Sequence, residues 1–387
     1  MATEPTKRSD ATSKATAVGA FVLGGLALCV VAILLFGGSS SETKFALQSF
    51  TFLLSGAIGA GAKQWFLSGP AVRYLQSSFY DHVSNNLFVV DGQHATMGPD
   101  FGEYWKLSNA VGSTNMAWTK IQFTGSTPGL RFGQTSLYDS VSNKLMLFAG
   151  SSNVPACLND YWVMSNANTV GGAATWVHVM PTGTLPSARL KHTGVYDSAN
   201  NRMIMFGGMC GTTYQKDVWV LSNANNSATP AWTKLTPTGT GPSGREAASA
   251  IYNPTSNTML VFGGDAGGSP FGDLWSLSHA NGLGGTSAWT QLSLTGPSAR
   301  SGQSAVYSSA LDTMTIFGGW NGTIVLSETW TLDHVSTTPS WVQGVSGSPR
   351  RFHSSDLDPT SGQMLVFGGQ TGVGSITPYS GVLALVP

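Results

Sequence analysis

The chain has 387 residues and no net charge, because 19 Lys and Arg residues balance 19 Asp and Glu residues. Charged residues make up only 10% of the chain, which argues against a nucleic-acid-binding protein, since such proteins carry a clustered basic surface. Hydrophobic residues amount to 41%, with 12 Trp and 18 Phe, so the chain can bury a large core and is not disordered.

The N-terminal region separates into a polar tail (1–16), a segment without charge (17–36) and a linker or decayed repeat (37–62). Residues 17–36 have about the length that spans a bilayer as a helix. The cationic residues of the tail precede this segment, which favours a cytoplasmic tail and a chain that continues outside the cytoplasm. We therefore expect a single transmembrane helix at 17–36, or alternatively a cleaved signal segment and a secreted protein.

Residues 63–387 contain six copies of a repeat whose glycine blocks lie 50 to 58 residues apart. In each copy an arginine stands 19 residues before the second position of a Gly-Gly pair or of its diverged equivalent. Five copies then carry one Trp soon after the glycines and a second Trp further on. The six arginines are Arg73, Arg131, Arg189, Arg245, Arg300 and Arg350.

Each copy predicts four short strands, separated by turns rich in Asp, Asn and Ser. Four strands in a repeat of about 50 residues are typical of a kelch-type propeller blade. On these motifs residues 73–387 resemble bacterial kelch-repeat proteins and the kelch-like repeats in the central domain of galactose oxidase. The resemblance implies an all-β propeller, and the Trp and Tyr rings are suited to packing between neighbouring blades.

The last copy lacks a Trp-bearing fourth strand, whereas Trp65 stands where a fourth strand would precede the first copy. We therefore expect Gln64–Leu67 to complete the last blade, which gives six four-stranded blades and removes an open sheet edge. Seven blades are the alternative, because Phe36-Gly37-Gly38 mimics the glycine block and makes residues 17–68 a possible further copy.

The alternation of strands places the arginines and the loops after the glycine pairs on one face of the propeller. Arginine and aromatic residues dominate binding hot spots. A structural role, in which each arginine ties a loop to its blade, is the alternative for the six arginines. The ligand-binding candidates are these arginines together with Trp320, Phe271, Tyr214 and Phe101.

Two pairs of residues raise further possibilities. His192 and His353 occupy equivalent positions three blades apart, which suggests either a metal pair or two polar core residues. Cys157 and Cys210 lie in loops of consecutive blades on the same face, so they form a possible disulfide outside the cytoplasm.

The sequence has no P-loop, no nucleophile elbow and no metal-binding His/Glu pattern, so we predict no catalytic residue, no metal site and no cofactor. We expect a non-catalytic interaction module, displayed in the periplasm or at the cell surface, that binds a protein or a glycan through the loop face. A carbohydrate-active or copper-radical oxidase-like enzyme and a structural component of an envelope assembly are the alternatives.

Overall fold

The computed structural model divides the chain into two units, residues 1–56 and 57–387. It describes residues 21–23, 26–28, 63–65, 69–94, 102–112, 115–153, 156–372 and 382–385. In the first unit Phe21–Leu23 pairs antiparallel with Leu26–Leu28. The remainder of the predicted membrane segment 17–36 lies outside the described residues, so the membrane helix stays a prediction. Within the described part of the chain, no helix is long and apolar enough to cross a membrane.

The second unit is a six-bladed β-propeller in which each blade is an antiparallel sheet of four main strands. Blades 1 to 3, from the innermost strand outward, are Ser77–Asp81, Asn86–Val90, Tyr104–Ser108 and Ala117–Ile121; Thr135–Asp139, Lys144–Asn153, Ala156–Ser165 and Ala174–Val179; and Thr193–Asp197, Arg202–Phe206, Val218–Ser222 and Ala231–Leu235. Blades 4 to 6 are Ser249–Asn253, Thr258–Phe262, Leu274–Ser278 and Ala288–Leu292; Ser304–Ser308, Thr313–Phe317, Glu328–Asp333 and Ser340–Ser346; and Ser354–Leu357, Met364–Phe367, Val382–Leu385 and Lys63–Trp65.

A few short strands supplement the blades. Phe123–Gly125 adds in parallel to the outer strand of blade 2. Three two-stranded pairs lie where the loops after the glycine blocks meet the starts of the inner strands or fold back on themselves: Arg73–Tyr74 with Gln93–His94, Met209–Cys210 with Thr213–Tyr214, and Asp265–Ala266 with Ser269–Pro270.

The ring closes through the two ends of the propeller sequence. Lys63–Trp65 pairs antiparallel with Val382–Leu385, and Trp65 lies opposite Val382. The six innermost strands contact one another in a complete circle. The prediction of six blades closed by terminal strands is therefore confirmed, with the closing strand described at Lys63–Trp65 where we expected Gln64–Leu67.

Aromatic rings fill the space between blades, as the sequence predicts. Trp232 in the outer strand of blade 3 packs on Phe148 of blade 2, with ring centroids 4.9 Å apart. Trp289 packs in the same way on Phe206 of blade 3, at 5.4 Å. Because each indole buries a large apolar area against the neighbouring blade, these interfaces stabilise the circle of blades.

Two circles of backbone hydrogen bonds surround the propeller axis. In the outer circle, the amide of the second glycine-block residue donates to the carbonyl of the arginine in the next blade, and Gly369 completes the circle with Arg73 at 2.9 Å. The inner circle joins the residues two positions after the arginines, each amide donating to the preceding blade at 2.7–2.9 Å. Its members are Leu75, Gly133, Lys191, Ala247, Gly302 and Phe352.

The first glycine of a Gly-Gly pair suits this close approach of backbones, although Asp91 and Ala149 occupy the same position, also at positive φ, in blades 1 and 2. Gly207 has a φ of +72°, and a Cβ at this position would lie 2.8 Å from the carbonyl oxygen of Arg245 in the next blade. A side chain at position 207 would therefore require the backbones of blades 3 and 4 to shift.

Candidate functional site

The six arginines lie inside the propeller, with side chains at most 1% exposed. Arg189 shows the arrangement that the blades share. Its Nη1 donates to the carbonyl oxygen of Gly207 at 2.9 Å and to Asp217 Oδ1 at 2.7 Å, while its Nε donates to the carbonyl oxygen of Ser187 at 2.9 Å. The arginine thereby ties the loop before its blade to the glycine block.

The carboxylate that meets the arginine also accepts a hydrogen bond from the first Trp of the blade. Trp219 Nε1 donates to Asp217 at 2.7 Å. Burial by itself would raise the pKa of Asp217, but the hydrogen bonds from Arg189 and Trp219 hold it below its usual value. The same triad recurs in Arg73–Glu103–Trp105, Arg131–Asp160–Trp162, Arg245–Asp273–Trp275 and Arg300–Glu328–Trp330.

These contacts correct the inclusion of the six arginines among the ligand-binding candidates. A guanidinium that is buried and hydrogen-bonded to carbonyl oxygens presents no surface to a partner. Of the two roles that the sequence leaves open, the structure supports the structural one.

The inner circle of hydrogen bonds forms the rim of the axial opening on the loop face. All six rim residues adopt positive φ, between 51° and 68°. Four of them are not glycine, and for such residues this conformation is uncommon and costs on the order of 1 kcal/mol each. The strain persists because the closed circle of hydrogen bonds fixes the backbone, and it aims the side chains of the rim at the opening.

Lys191 reaches across this opening. Its Nζ lies 5.1 Å from the ring centroid of Phe352, which belongs to the opposite side of the rim. The ammonium also forms an ion pair with Glu246 at 3.1 Å. Gly302 makes room for this arrangement, because a Cβ there would lie 2.9 Å from the Phe352 ring. The Lys191 side chain therefore forms a bar over part of the opening.

A second cation lies beside the rim, stacked on aromatic rings. The Arg351 guanidinium is 5.5 Å from the Trp320 ring and 5.0 Å from the Phe352 ring. Gln370, with its amide oriented so that the oxygen faces the guanidinium, accepts from Nε and Nη2 at 3.0 Å each. Within the described residues no carboxylate lies at ion-pair distance from the Arg351 guanidinium. Partial burial lowers the pKa of Arg351, and the more distant Asp265 carboxylate offsets part of this effect.

The four aromatic candidates have different surroundings. Trp320 is half-buried, and its backbone pairs with Ser301 at the start of blade 5. Phe271 is half-buried and covers the Arg245 guanidinium, 4.1 Å from its ring centroid. Tyr214 is half-buried in the short hairpin of blade 3, and Phe101 lies outside the described residues. Three of the candidates thus lie on the loop face of successive blades, and Trp320 alone joins the Arg351 cluster.

Below the rim lies a polar chamber on the propeller axis, open to solvent and about 150 Å³ in volume. Two residues from each blade line it: the rim residue and, three positions after the arginine, Gln76, Gln134, His192, Ala248, Gln303 or His353. Of the latter six residues, all except Ala248 are polar and more than nine-tenths buried. We call this space the axial chamber.

The two histidines of the axial chamber are neutral core residues. Burial, assisted by the positive charge of Arg189, lowers the pKa of His192 to about 3. Burial likewise lowers the pKa of His353 well below its usual value, and Arg350 adds to the effect. Each imidazole meets the edge of a phenylalanine ring from the preceding blade. Among the described residues, no group of three or more His, Cys, Asp or Glu side chains could hold a metal ion.

Cys157 and Cys210 form a disulfide, with their Cα atoms 6.0 Å apart. The bond joins the long hairpin of blade 2 to the short hairpin of blade 3. It thereby fixes the loops on one side of the axial opening.

Sequence reasoning missed Lys191, Glu246, Arg351 and Phe352. Arg351 and Phe352 follow the repeated Arg350 directly, and no other copy has a second arginine at this point. The departure of one copy from the common pattern was therefore the available signal for this cluster.

A family model described as the KLHDC2/KLHL20/DRC7 kelch-repeats domain matches residues 80–231 and, a second time, residues 223–374. Human host cell factor 2 is 29% identical over 252 residues, which are 60% of this chain and 29% of that protein. The host cell factor homolog hcf-1 of Caenorhabditis elegans is 29% identical over 234 residues, 55% of this chain and 28% of that protein. Tip elongation aberrant protein 1 of Schizosaccharomyces pombe is 27% identical over 242 residues, 59% of this chain and 19% of that protein.

The chain thus spans less than a third of the length of these three curated relatives. They are eukaryotic proteins, so the narrower resemblance to bacterial kelch-repeat proteins stays a prediction. The solved structure of YjhT superposes with a TM-score of 0.59 over 81% of this chain and 95% of that chain, at 15% identity, which supports the fold alone. Since the family model matches more than half of the sequence, the chain belongs to the KLHDC2/KLHL20/DRC7 kelch-repeat family.

Proposed function

We propose that the propeller is a protein-interaction module whose partner docks on the loop face, with Arg351, Trp320 and Phe352 at the centre of the contact. The observation that carries this proposal is the half-buried Arg351 guanidinium, which is stacked on two aromatic rings and, among the described residues, has no carboxylate within ion-pair distance, since Asp265 attracts it only from farther away. Arginine and tryptophan in such settings are the residues that contribute most to protein interfaces. A carboxylate on the partner would complete the ion pair.

The surroundings of this cluster fit a protein partner. Phe271 and Tyr214 offer further half-buried aromatic surface in the neighbouring loops. Rigid aromatic side chains lose little conformational entropy on binding. The strained rim and the disulfide hold the loops in place before a partner arrives, which reduces the cost of ordering them.

Site-specific photo-crosslinking tests the docking face. A photoreactive phenylalanine analogue placed at position 271 or 214 should crosslink a discrete partner in cells that express the full chain. The matched control is the same analogue at Val83 or Val141, in exposed turns at the opposite ends of the strands. Crosslinks formed from the control positions and absent from the loop-face positions would refute the proposal.

Mutation of the cluster then tests the role of the arginine. Arg351→Ala should weaken binding of the crosslinked partner by about tenfold or more, as hot-spot truncations do. Arg202→Ala is the matched control, because this arginine lies at the opposite end of its blade and donates to the carbonyl oxygen of Asn281 at 3.1 Å. Equal affinities for the two variants would contradict the assigned role of Arg351.

The propeller, in this proposal, is displayed outside the cytoplasm and held at the membrane by residues 17–36. The disulfide between Cys157 and Cys210 supports this location, because such bonds persist in oxidising compartments. Thiol alkylation of intact cells followed by denaturation should leave both cysteines unlabelled until a reductant is added. Labelling of both cysteines without reductant would contradict the location.

A glycan as the ligand of the propeller remains the alternative, and the axial chamber is the feature that favours it.

A further inference from the structure

We infer that the axial chamber is a binding site for a small uncharged molecule rich in hydrogen-bond donors, of the polyol or free-sugar class. The chamber lies on the propeller axis beneath the rim, whereas the protein partner proposed above contacts the loops around it. The inference rests on three features of the described residues: unpartnered polar atoms, the local charge balance, and the shape of the chamber.

Two glutamines in the chamber have their amide nitrogens tied to the preceding blade. Gln76 Nε2 donates to the carbonyl oxygen of Phe367 at 2.7 Å, and Gln303 Nε2 donates to that of Phe262 at 2.9 Å. These bonds fix the orientation of both amides. The oxygen Oε1 of each amide is buried and has no partner among the described residues.

The remaining polar groups extend this pattern. His353 Nε2 lies 2.8 Å from Ser304 Oγ, and with the ring proton assigned to Nε2 the unpartnered Nδ1 is an acceptor. Gln134 and His192 have no partner at either polar atom of their side chains. Buried polar atoms without partners are rare in folded proteins, since each costs its full desolvation energy. The chamber therefore presents at least three fixed acceptors and two groups that adapt to either role.

The charge around the chamber favours an uncharged ligand. The two imidazoles are neutral, so they give an anion no positive charge. The acceptor atoms of Gln76 and Gln303 would repel an anion, and Lys191, the cation of the lining, is already paired with Glu246. A cation has acceptors but no carboxylate in the chamber lining. A neutral ligand that donates hydrogen bonds fits all of these conditions.

The shape of the chamber sets the size of the ligand. A volume of about 150 Å³ corresponds to about five water molecules at about 30 Å³ each, so a ligand of monosaccharide size would extend from the chamber into its open entrance. Among the six residues three positions after the arginines, Ala248 is the one without a polar or bulky side chain, so it leaves space in the chamber on the blade 4 side. The Lys191 bar above it narrows the entrance, which favours a small molecule over a chain.

Saturation-transfer NMR on the full chain tests the inference with defined probes. D-glucose, D-galactose, N-acetyl-D-glucosamine and myo-inositol are the neutral probes; D-glucuronate and D-glucosamine are their charged counterparts. At least one neutral probe should bind saturably, and the charged analogues should bind about tenfold more weakly. Binding of no neutral probe, or equal binding of charged probes, would overturn the inference.

Two variants separate a binding role from a structural one. Gln134→Leu removes a side chain with no protein partner, so the melting temperature should stay the same or rise while probe affinity falls about tenfold. Ala248→Leu should block the chamber and abolish probe binding. The matched control is Gln291→Leu, an exposed glutamine on the outer strand of blade 4, which should change neither quantity. A lower melting temperature with unchanged affinity in Gln134→Leu would overturn the assignment.

This inference and the proposed function fail separately. If a neutral probe binds and no partner crosslinks at positions 214 or 271, the chamber site stands and the docking face is wrong. If a partner crosslinks and no probe binds, the chamber site is wrong and the docking face stands.

Discussion

Replacing Arg189 with methionine tests whether the buried arginine triads hold the blades together. Methionine has a similar length and fits an apolar interior, so the change removes charge and hydrogen bonds with little loss of volume. The side chain of Arg189 is 0% exposed, whereas that of its partner Asp217 is 14% exposed. The variant therefore leaves a largely buried carboxylate with only the Trp219 indole as a close donor, and it strips the Gly207 carbonyl of a donor.

The magnitude follows from the burial of the pair. Breaking a buried ion pair by removing one partner costs about 3–5 kcal/mol, because an uncompensated charge remains. The same carboxylate has a second cation, Lys234, at 4.0 Å with a side chain 55% exposed. Exposed pairs of this kind contribute about 0–1 kcal/mol. Lys234→Met is therefore the matched control, since it removes an equal charge from the same Asp217.

Equilibrium urea unfolding followed by tryptophan fluorescence measures both variants. We expect the free energy of unfolding to fall by about 3–5 kcal/mol for Arg189→Met and by less than about 1 kcal/mol for Lys234→Met. Without the arginine the pKa of Asp217 rises, so the deficit of Arg189→Met should shrink as the pH is lowered and the carboxylate takes up a proton. Equal losses in the two variants, or a deficit independent of pH, would refute this reasoning.

Three further measurements address the rest of the fold. Deleting residues 63–65 should expose the edge of Val382–Leu385 and lower the free energy of unfolding by several kcal/mol. The exposed edge should also cause aggregation that light scattering detects. A monomeric variant of normal stability would contradict ring closure. Trp289→Ala should lower the free energy of unfolding, measured by thermal unfolding, by about 3–5 kcal/mol because the indole fills a blade interface. Trp320→Ala should lower it by about 1 kcal/mol. The reverse order would show that Trp320 is the packing element. Burial alone would raise the pKa of Glu103, but three side-chain donors lower it from 4.5 to about 2. The Glu103 carboxylate therefore contributes to stability above pH 4.5, and this contribution is lost as the pH falls towards 2. Glu103→Gln should accordingly flatten the acid-unfolding curve over that range.

The architecture could be predicted because the repeated residues serve the backbone geometry that every blade shares. A glycine pair at a constant distance from an arginine reports a close approach between blades, and Gly207 makes this approach to Arg245. The orphan Trp65 and the incomplete last copy together indicated the closing strand, since an open sheet edge is costly. The arginine and the second glycine recur at the same spacing in all six copies, so the repeat does not arise by chance.

The site could be predicted only in part, because its contacts cross the ring. The positive φ values of Leu75, Lys191, Ala247 and Phe352 have no signal in residue type, since glycine and asparagine are the residues that usually mark this conformation. Nothing in the sequence places Lys191 against Phe352, which lies three blades away in the closed ring. Only Gly133 and Gly302, at the same offset after their arginines, hinted at a special backbone there.

The division between common and variable positions gives the most direct guide to function. Ring closure demands the same geometry in every blade, so the arginine, the glycine block and the two circles of hydrogen bonds recur six times and leave no room for selectivity. The side chains one and two positions after the arginine are not constrained by that geometry, because only their backbone atoms take part in the hydrogen bonds between segments. The side chains three positions after the arginine line the axial chamber and also vary from blade to blade. These are the positions at which the blades differ: Arg351 and Phe352 in blade 6, Lys191 in blade 3 and Ala248 in blade 4. A ligand without six-fold symmetry can be recognised only by groups that break the symmetry of the ring, so recognition depends on these side chains rather than on the buried arginines.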